Sequence, residues 1–105
     1  MKAVVKNKQA LLSRISRNRV QIQQYGVKRL GVFGSFARKE QNADSDVDIL
    51  VEFEPGKKTF DNFMRLSLLL ENLFNRPVEL VTPEGLSPYF KPYIFKEVEY
   101  VEIFH

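Results

Sequence analysis

Residues Asp46 to Phe53 alternate strictly, and this run constrains the fold more than any other stretch of the 105-residue chain. Successive side chains of a strand point to opposite faces, so Val47, Ile49, Val51 and Phe53 form one apolar face. The opposite face carries Asp46, Asp48, Leu50 and Glu52. Aspartate is unfavourable in strands, and two on one face is unusual. The two carboxylates stand about 6.6 to 7 Å apart along the backbone at two residues' rise. At an effective dielectric near 20 they repel each other by about 2.5 kcal/mol. No basic residue lies between them to offset it. A divalent cation would reverse the sign, so the pair reads as a metal site rather than as the solvent side of an edge strand.

The surrounding segments supply the rest of a small sheet. Leu11, Leu12, Ile15 and Ile22 recur near helical spacing, which predicts one amphipathic helix from about Lys6 to Tyr25, ended by Gly26. Val27 to Phe33 reads as a strand running into Gly34-Ser35, where a second short helix begins. Asn42 to Ser45 is a cluster of turn formers. Glu54-Pro55-Gly56-Lys57-Lys58 breaks the alternating strand, and Thr59 is placed to cap a helix from Phe60 to about Asn75. The expected apolar stripe of that helix is Phe60, Phe63, Met64, Leu66, Leu70, Leu73 and Phe74. Pro77 opens a strand, Val78 to Val81, which stops at Thr82-Pro83-Glu84-Gly85.

The tail carries Tyr89, Phe90, Tyr93, Phe95, Tyr100 and Phe104, with room for a short helix and a final strand. A small domain needs such residues as core, the favoured reading; a stack for adenine or a partner surface are the alternatives. The expected fold class is α/β (α+β). It comprises a small mixed sheet of three strands, four if the tail adds one, with helices mainly on one face. Residues 1–105 are expected to form a single domain.

Composition narrows the chemistry. Without cysteine there is neither a disulfide nor a thiolate, so a metal must be held by oxygen or by the lone His105, and oxygen ligands favour magnesium-like ions. His105, at the terminus, is given no role. No apolar run has the length of a signal peptide or of a membrane span, which makes the cytoplasm the expected location and excludes a membrane partner. The net charge of +3 conceals an asymmetry: residues up to Lys39 carry +10, and those from Glu40 onward carry −7. A basic amino-terminal half suits an anionic partner, whether nucleic acid, nucleotide phosphates or an acidic protein; a solvated basic helix face is the equal alternative.

Two short runs carry the functional signal. Gly31-Val32-Phe33-Gly34-Ser35-Phe36-Ala37-Arg38 passes from a strand through Gly-Ser into a helix, which presents free backbone N–H groups to an anion. Asp44-Ser45-Asp46-Val47-Asp48-Ile49-Leu50-Val51 follows, with ten residues between Ser35 and Asp46. Together they resemble the signature of the DNA polymerase β-like nucleotidyltransferase superfamily, and in particular the minimal nucleotidyltransferases (MNT) of prokaryotes. The similarity is dense from Gly31 to Phe53, and the element order continues it to about Val81.

The resemblance implies a polymerase β-like nucleotidyltransferase fold and Mg²⁺-dependent transfer of AMP from ATP. Two Mg²⁺ ions are implied, with Gly34 and Ser35 on the nucleotide phosphates and Asp46 and Asp48 on metal. Arg38, one helical turn beyond that seat, has a fork that could hold the triphosphate; an ordinary surface arginine is the equal alternative. The family places a third carboxylate, usually Asp, on the next strand as ligand and base. Glu79 occupies that place, with about 1.5 Å more reach, where misplacements near 1 Å can cost on the order of a hundredfold in rate. Lys39 stands where relatives often have glycine. Minimal nucleotidyltransferases are typically paired with a HEPN-domain toxin, whose tyrosine receives the AMP, so the implied role is that of antitoxin. Two other readings stand beside it. One is a non-catalytic antitoxin that binds its partner through a decayed site. The other is a nucleic-acid-binding regulator acting through the basic amino-terminal helix, whose affinity would fall steeply with salt.

Overall fold

The computed structural model describes residues 3–103; Phe104 of the aromatic tail and His105 lie outside the described residues. Asn7 opens the first helix, α1 (Lys8–Arg17), by accepting the Ala10 N–H on its side chain at 2.8 Å. The expected single helix to Tyr25 is in fact two. Asn18 donates its side-chain amide to Arg14 O at 2.7 Å, and its N–H bonds Ile15 O three residues back. That tightened turn separates α1 from α2 (Arg19–Gln23). Leu11, Ile15 and Ile22 still face inward and are fully buried.

Strand β1 (Val27–Phe33) runs directly into the short helix α3 (Gly34–Arg38), and β2 (Val47–Phe53) pairs antiparallel with β1. Val27 faces Phe53 and Arg29 faces Glu52, so β1 holds one extra residue there. This bulge returns Val27 to the face of Leu30 and Val32, and all three are buried. On β2 the alternating pattern holds: Val47, Ile49 and Val51 are fully buried, Phe53 packs against the core, and Asp48 and Glu52 lie on the opposite face. Asp46 stands just before the strand.

Thr59 caps α4 (Phe60–Phe74) by accepting the Asn62 N–H at 3.1 Å. Leu66, Leu70, Leu73 and Phe74 are buried in the core shared with α1 and the sheet and contribute roughly 1.5–3 kcal/mol each. Phe60 and Met64 do not belong to that stripe. They are 80% and 42% exposed, whereas the residues of α4 that reach the core are Phe63, Leu66, Leu69, Leu70, Leu73 and Phe74. Strand β3 (Val78–Val81) joins β2 in parallel, α5 (Lys91–Glu97) follows a 3-10 turn, and β4 (Glu99–Glu102) pairs antiparallel with β1. The sheet is thus mixed and four-stranded, in the order β3-β2-β1-β4.

Among the described residues, the aromatic tail is not core. Tyr89, Phe90 and Tyr93 are 79%, 60% and 69% exposed, since α1, α2 and α4 already fill the inner face of the sheet. Among the tail residues, Tyr100 lies instead beneath the Arg29 guanidinium, 3.7 Å from its ring centroid. The basic amino-terminal half is partly neutralised from within: Lys8 pairs with Glu99, Arg29 with Glu52 and Arg38 with Glu40 and Glu97. No helix among the described residues is long and apolar enough to cross a membrane.

Candidate active site

The strand order brings the chemistry-bearing segments together. Phe33, which ends β1, is the register partner of Asp48 on β2, and Asp48 is the register partner of Glu79 on β3. Asp48 therefore lies between the Gly34 turn on one side and Glu79 on the other. The closeness of the first contact is measured by Gly34, whose φ is +74° and whose missing Cβ would collide with the Asp48 carboxylate. Only glycine can hold that turn against that side chain.

Asp48 is partly buried, and its carboxyl is pushed up to about 6, chiefly by burial. The charge of Glu79 and a hydrogen bond with it raise it further, as does the charge of Asp46, while Arg38 opposes them. Asp48 and Glu79 are thus neighbours across the β2–β3 pairing, and Asp46 is near enough for its field to matter. Glu79 and Asp46 are exposed, Val78 and Leu80 face the core, and β3 is an edge strand open to an approaching molecule.

The residues fit a hard cation only in part. Among the described residues no group of three or more His, Cys, Asp or Glu side chains closes into a metal cage. A magnesium ion does not require one, since it keeps water and is commonly held by one or two carboxylates together with substrate phosphates. Asp48 and Glu79, register partners on β2 and β3, match that donor set.

The phosphate-seat candidates converge as well. Arg38 closes α3, and Lys39 after it adopts a left-handed conformation with φ of +60°, a backbone geometry suited to glycine. Arg38 Nε donates to Glu40 at 3.0 Å, and Arg38 Nη1 lies 3.1 and 3.2 Å from the two oxygens of Glu97. Hydrogen bonds to Glu40, then to Glu97, hold the Arg38 proton more firmly than usual. Glu97 also accepts the Gly34 N–H at 2.6 Å. Ser35, next to Gly34, is partly buried.

Sequence reasoning missed two residues here. Glu97 comes from α5, 63 positions away from Gly34, and no local pattern marks it. Arg76 is the buried charged residue of the core, 8% exposed, between α4 and β3. Its guanidinium donates to Val5 O at 2.7 Å, Asn42 O at 3.0 Å and Ser45 O at 2.9 Å, and lies 5.0 Å from the Phe36 ring centroid. Arg76 thereby ties the loop before Asp46 to the helix that begins at Gly34. A recess of about 790 Å³ lies elsewhere, lined by Arg29, Glu52, Phe95 and Tyr100 and by none of the three carboxylates. Geometry and charge, not its size, place the candidate site at Asp48.

Comparison with known proteins shows the family and the fold. The model of the nucleotidyltransferase domain family matches residues 12–101. A candidate protein adenylyltransferase of Methanocaldococcus jannaschii is 44% identical over 73 residues, 70% of this chain and 77% of its own. The protein adenylyltransferase MntA of Thermococcus cleftensis is 40% identical over 79 residues, 75% of this chain and 79% of its own. The solved structure of a candidate minimal nucleotidyltransferase superposes with a TM-score of 0.77 at 34% identity, covering 92% of this chain and 98% of that one. A chain from the complex of a tri-AMPylated Shewanella oneidensis HEPN toxin with an MNT antitoxin gives a TM-score of 0.60 at 16% identity. It covers 89% of this chain and 70% of that one, and shows the shared fold.

Proposed function

The chain belongs to the nucleotidyltransferase domain family, and from that premise we propose that it transfers AMP from ATP to a hydroxyl of a partner protein. The partner is a HEPN-domain toxin, the acceptor is a tyrosine, and the chain acts as a single-domain cytoplasmic antitoxin. The observation that carries this reading is the meeting of the Gly34 turn, Asp48 and Glu79 at one point of the sheet.

Each residue has a task in the transfer. Gly34 N–H, Ser35 and Arg38 hold phosphate oxygens of the nucleotide, and the absence of a Gly34 side chain lets them come close. Asp46, Asp48 and Glu79 would hold Mg²⁺, which when bound offsets the charge of the polyphosphate and polarises the reacting phosphorus. Glu79, exposed on the edge strand, also takes the proton of the attacking hydroxyl. The hydroxyl oxygen bonds the α-phosphorus as the bond to pyrophosphate breaks, and pyrophosphate leaves. The acceptor comes from another molecule, which an open edge strand admits.

A second reading, the binding antitoxin without catalysis, is motivated by Glu79 standing where the family usually has Asp. Incubation of the protein with its partner, α-labelled ATP and Mg²⁺ tests both. The transferase reading expects label on the partner, lost with a chelator and lost in Asp46→Asn/Asp48→Asn. An unlabelled partner at every protein ratio, with neutralisation unchanged in the double variant, would establish the binder instead.

A further inference from the structure

Glu97 stands outside every motif, yet its carboxylate engages two of the donors assigned above to the triphosphate. It accepts the Gly34 N–H at 2.6 Å and lies 3.1 and 3.2 Å from Arg38 Nη1. The side chain is 23% exposed, against 48% for Arg38, so the carboxylate sits on the inner side of the pair. Because α5 brings it from 63 residues away, the contact is a product of the tertiary fold and not of local chain geometry. A carboxylate that bridges a backbone N–H and a guanidinium makes the same charge-assisted contacts as a phosphoryl group.

Resting on the nucleotide-site reading, we propose that Glu97 is a further residue of that site: it fills the anion seat in the free protein, and a triphosphate enters by displacing it. One anion cannot be added to the other. Asp48 already lies against Gly34, Glu79 beside Asp48 and Glu40 on Arg38, so Glu97 and a phosphate together would crowd five anionic groups around one guanidinium. Glu97 keeps Gly34 N–H and Arg38 aimed at a common point until the ligand arrives. It also lowers the apparent affinity of every ligand that uses the seat by one common factor, the inverse of the fraction of molecules in which the seat is open.

Titration calorimetry of the full chain with a non-hydrolysable ATP analogue and Mg²⁺ tests this on the wild type, Glu97→Gln and Glu97→Asp. Glu97→Asp keeps the charge but is shorter by one methylene, too short to span to the Gly34 N–H from the end of α5. Both variants should bind about tenfold more tightly than the wild type and, without ligand, melt roughly 5 °C lower, since the contact that competes with the ligand also holds the free protein together. Equal affinity in all three proteins overturns the proposal and leaves the nucleotide site standing. Tightening by Glu97→Gln alone also overturns it, since that is plain repulsion between like charges. Weaker binding by either variant would make Glu97 a supporting residue, contrary to the proposal. If none of the three binds, the nucleotide reading itself fails.

Discussion

Asp48→Asn should stabilise the nucleotide-free protein while removing its activity. The wild-type carboxyl titrates at about 6 because burial and the carboxylates of Glu79 and Asp46 disfavour its charged form. Its unfolded value is 3.8. Below 3.8 the group is protonated in both states and costs nothing. As pH rises from there to 6 the unfolded chain loses the proton first, so wild-type stability falls, and above 6 the penalty is fully present. About two pKa units at about 1.4 kcal/mol each give about 3 kcal/mol, which solvent access to the partly exposed group reduces to about 1.5. The asparagine amide removes the charge and can still donate to Glu79. Urea unfolding with a chelator present should therefore show the variant more stable by about 1.5 kcal/mol at pH 8, an increase of roughly 1 M in midpoint. The two proteins should be nearly equal at pH 4. A variant less stable than wild type at pH 8, or a difference that does not change with pH, would refute the reasoning.

Gly34→Ala places a methyl group against the Asp48 carboxylate at a φ of +74°. It should cost about 1–2 kcal/mol in a urea melt and abolish binding of the ATP analogue in calorimetry. Lys39→Gly relieves a left-handed lysine at φ +60° and should raise stability by about 0.5–1 kcal/mol in the same melt, with label transfer unchanged. Arg76→Met leaves carbonyls of Val5, Asn42 and Ser45 without their donor and should destabilise by about 2–4 kcal/mol by urea titration. In the variant that remains folded, Mg²⁺ half-saturation of transfer should rise, because the loop leading to Asp46 is released from α3.

Local patterns were legible where a few neighbouring residues decide the outcome. Strands Val27–Phe33 and Val78–Val81 stand where alternation, glycine and proline placed them, and β2 begins at Val47, one residue later than the alternation of Asp46 suggests. The pairing of Asp48 with Glu79 follows from the same period-two logic once β2 and β3 are neighbours. What escaped the sequence depends on partners far along the chain. The break at Asn18 needs its side chain on Arg14 O, and the exposure of Phe60 and Met64 depends on how much of α4 reaches the core. Tyr89, Phe90 and Tyr93 carry the composition of a core, but α1, α2 and α4 had already occupied it. Glu97 and Arg76 bear no local mark at all; only tertiary packing sets them against Gly34 and the loop before Asp46.

A crystal structure of the protein with a non-hydrolysable ATP analogue and Mg²⁺ tests the central claim most directly. A cation should lie about 2.0–2.1 Å from carboxylate oxygens of Asp48 and its neighbours, sharing phosphate oxygens with the nucleotide. One phosphate should accept the Gly34 N–H in place of Glu97. A nucleotide lodged in the recess of Arg29, Glu52 and Tyr100, with Asp48 bearing no metal and Glu97 still on Gly34, would contradict it.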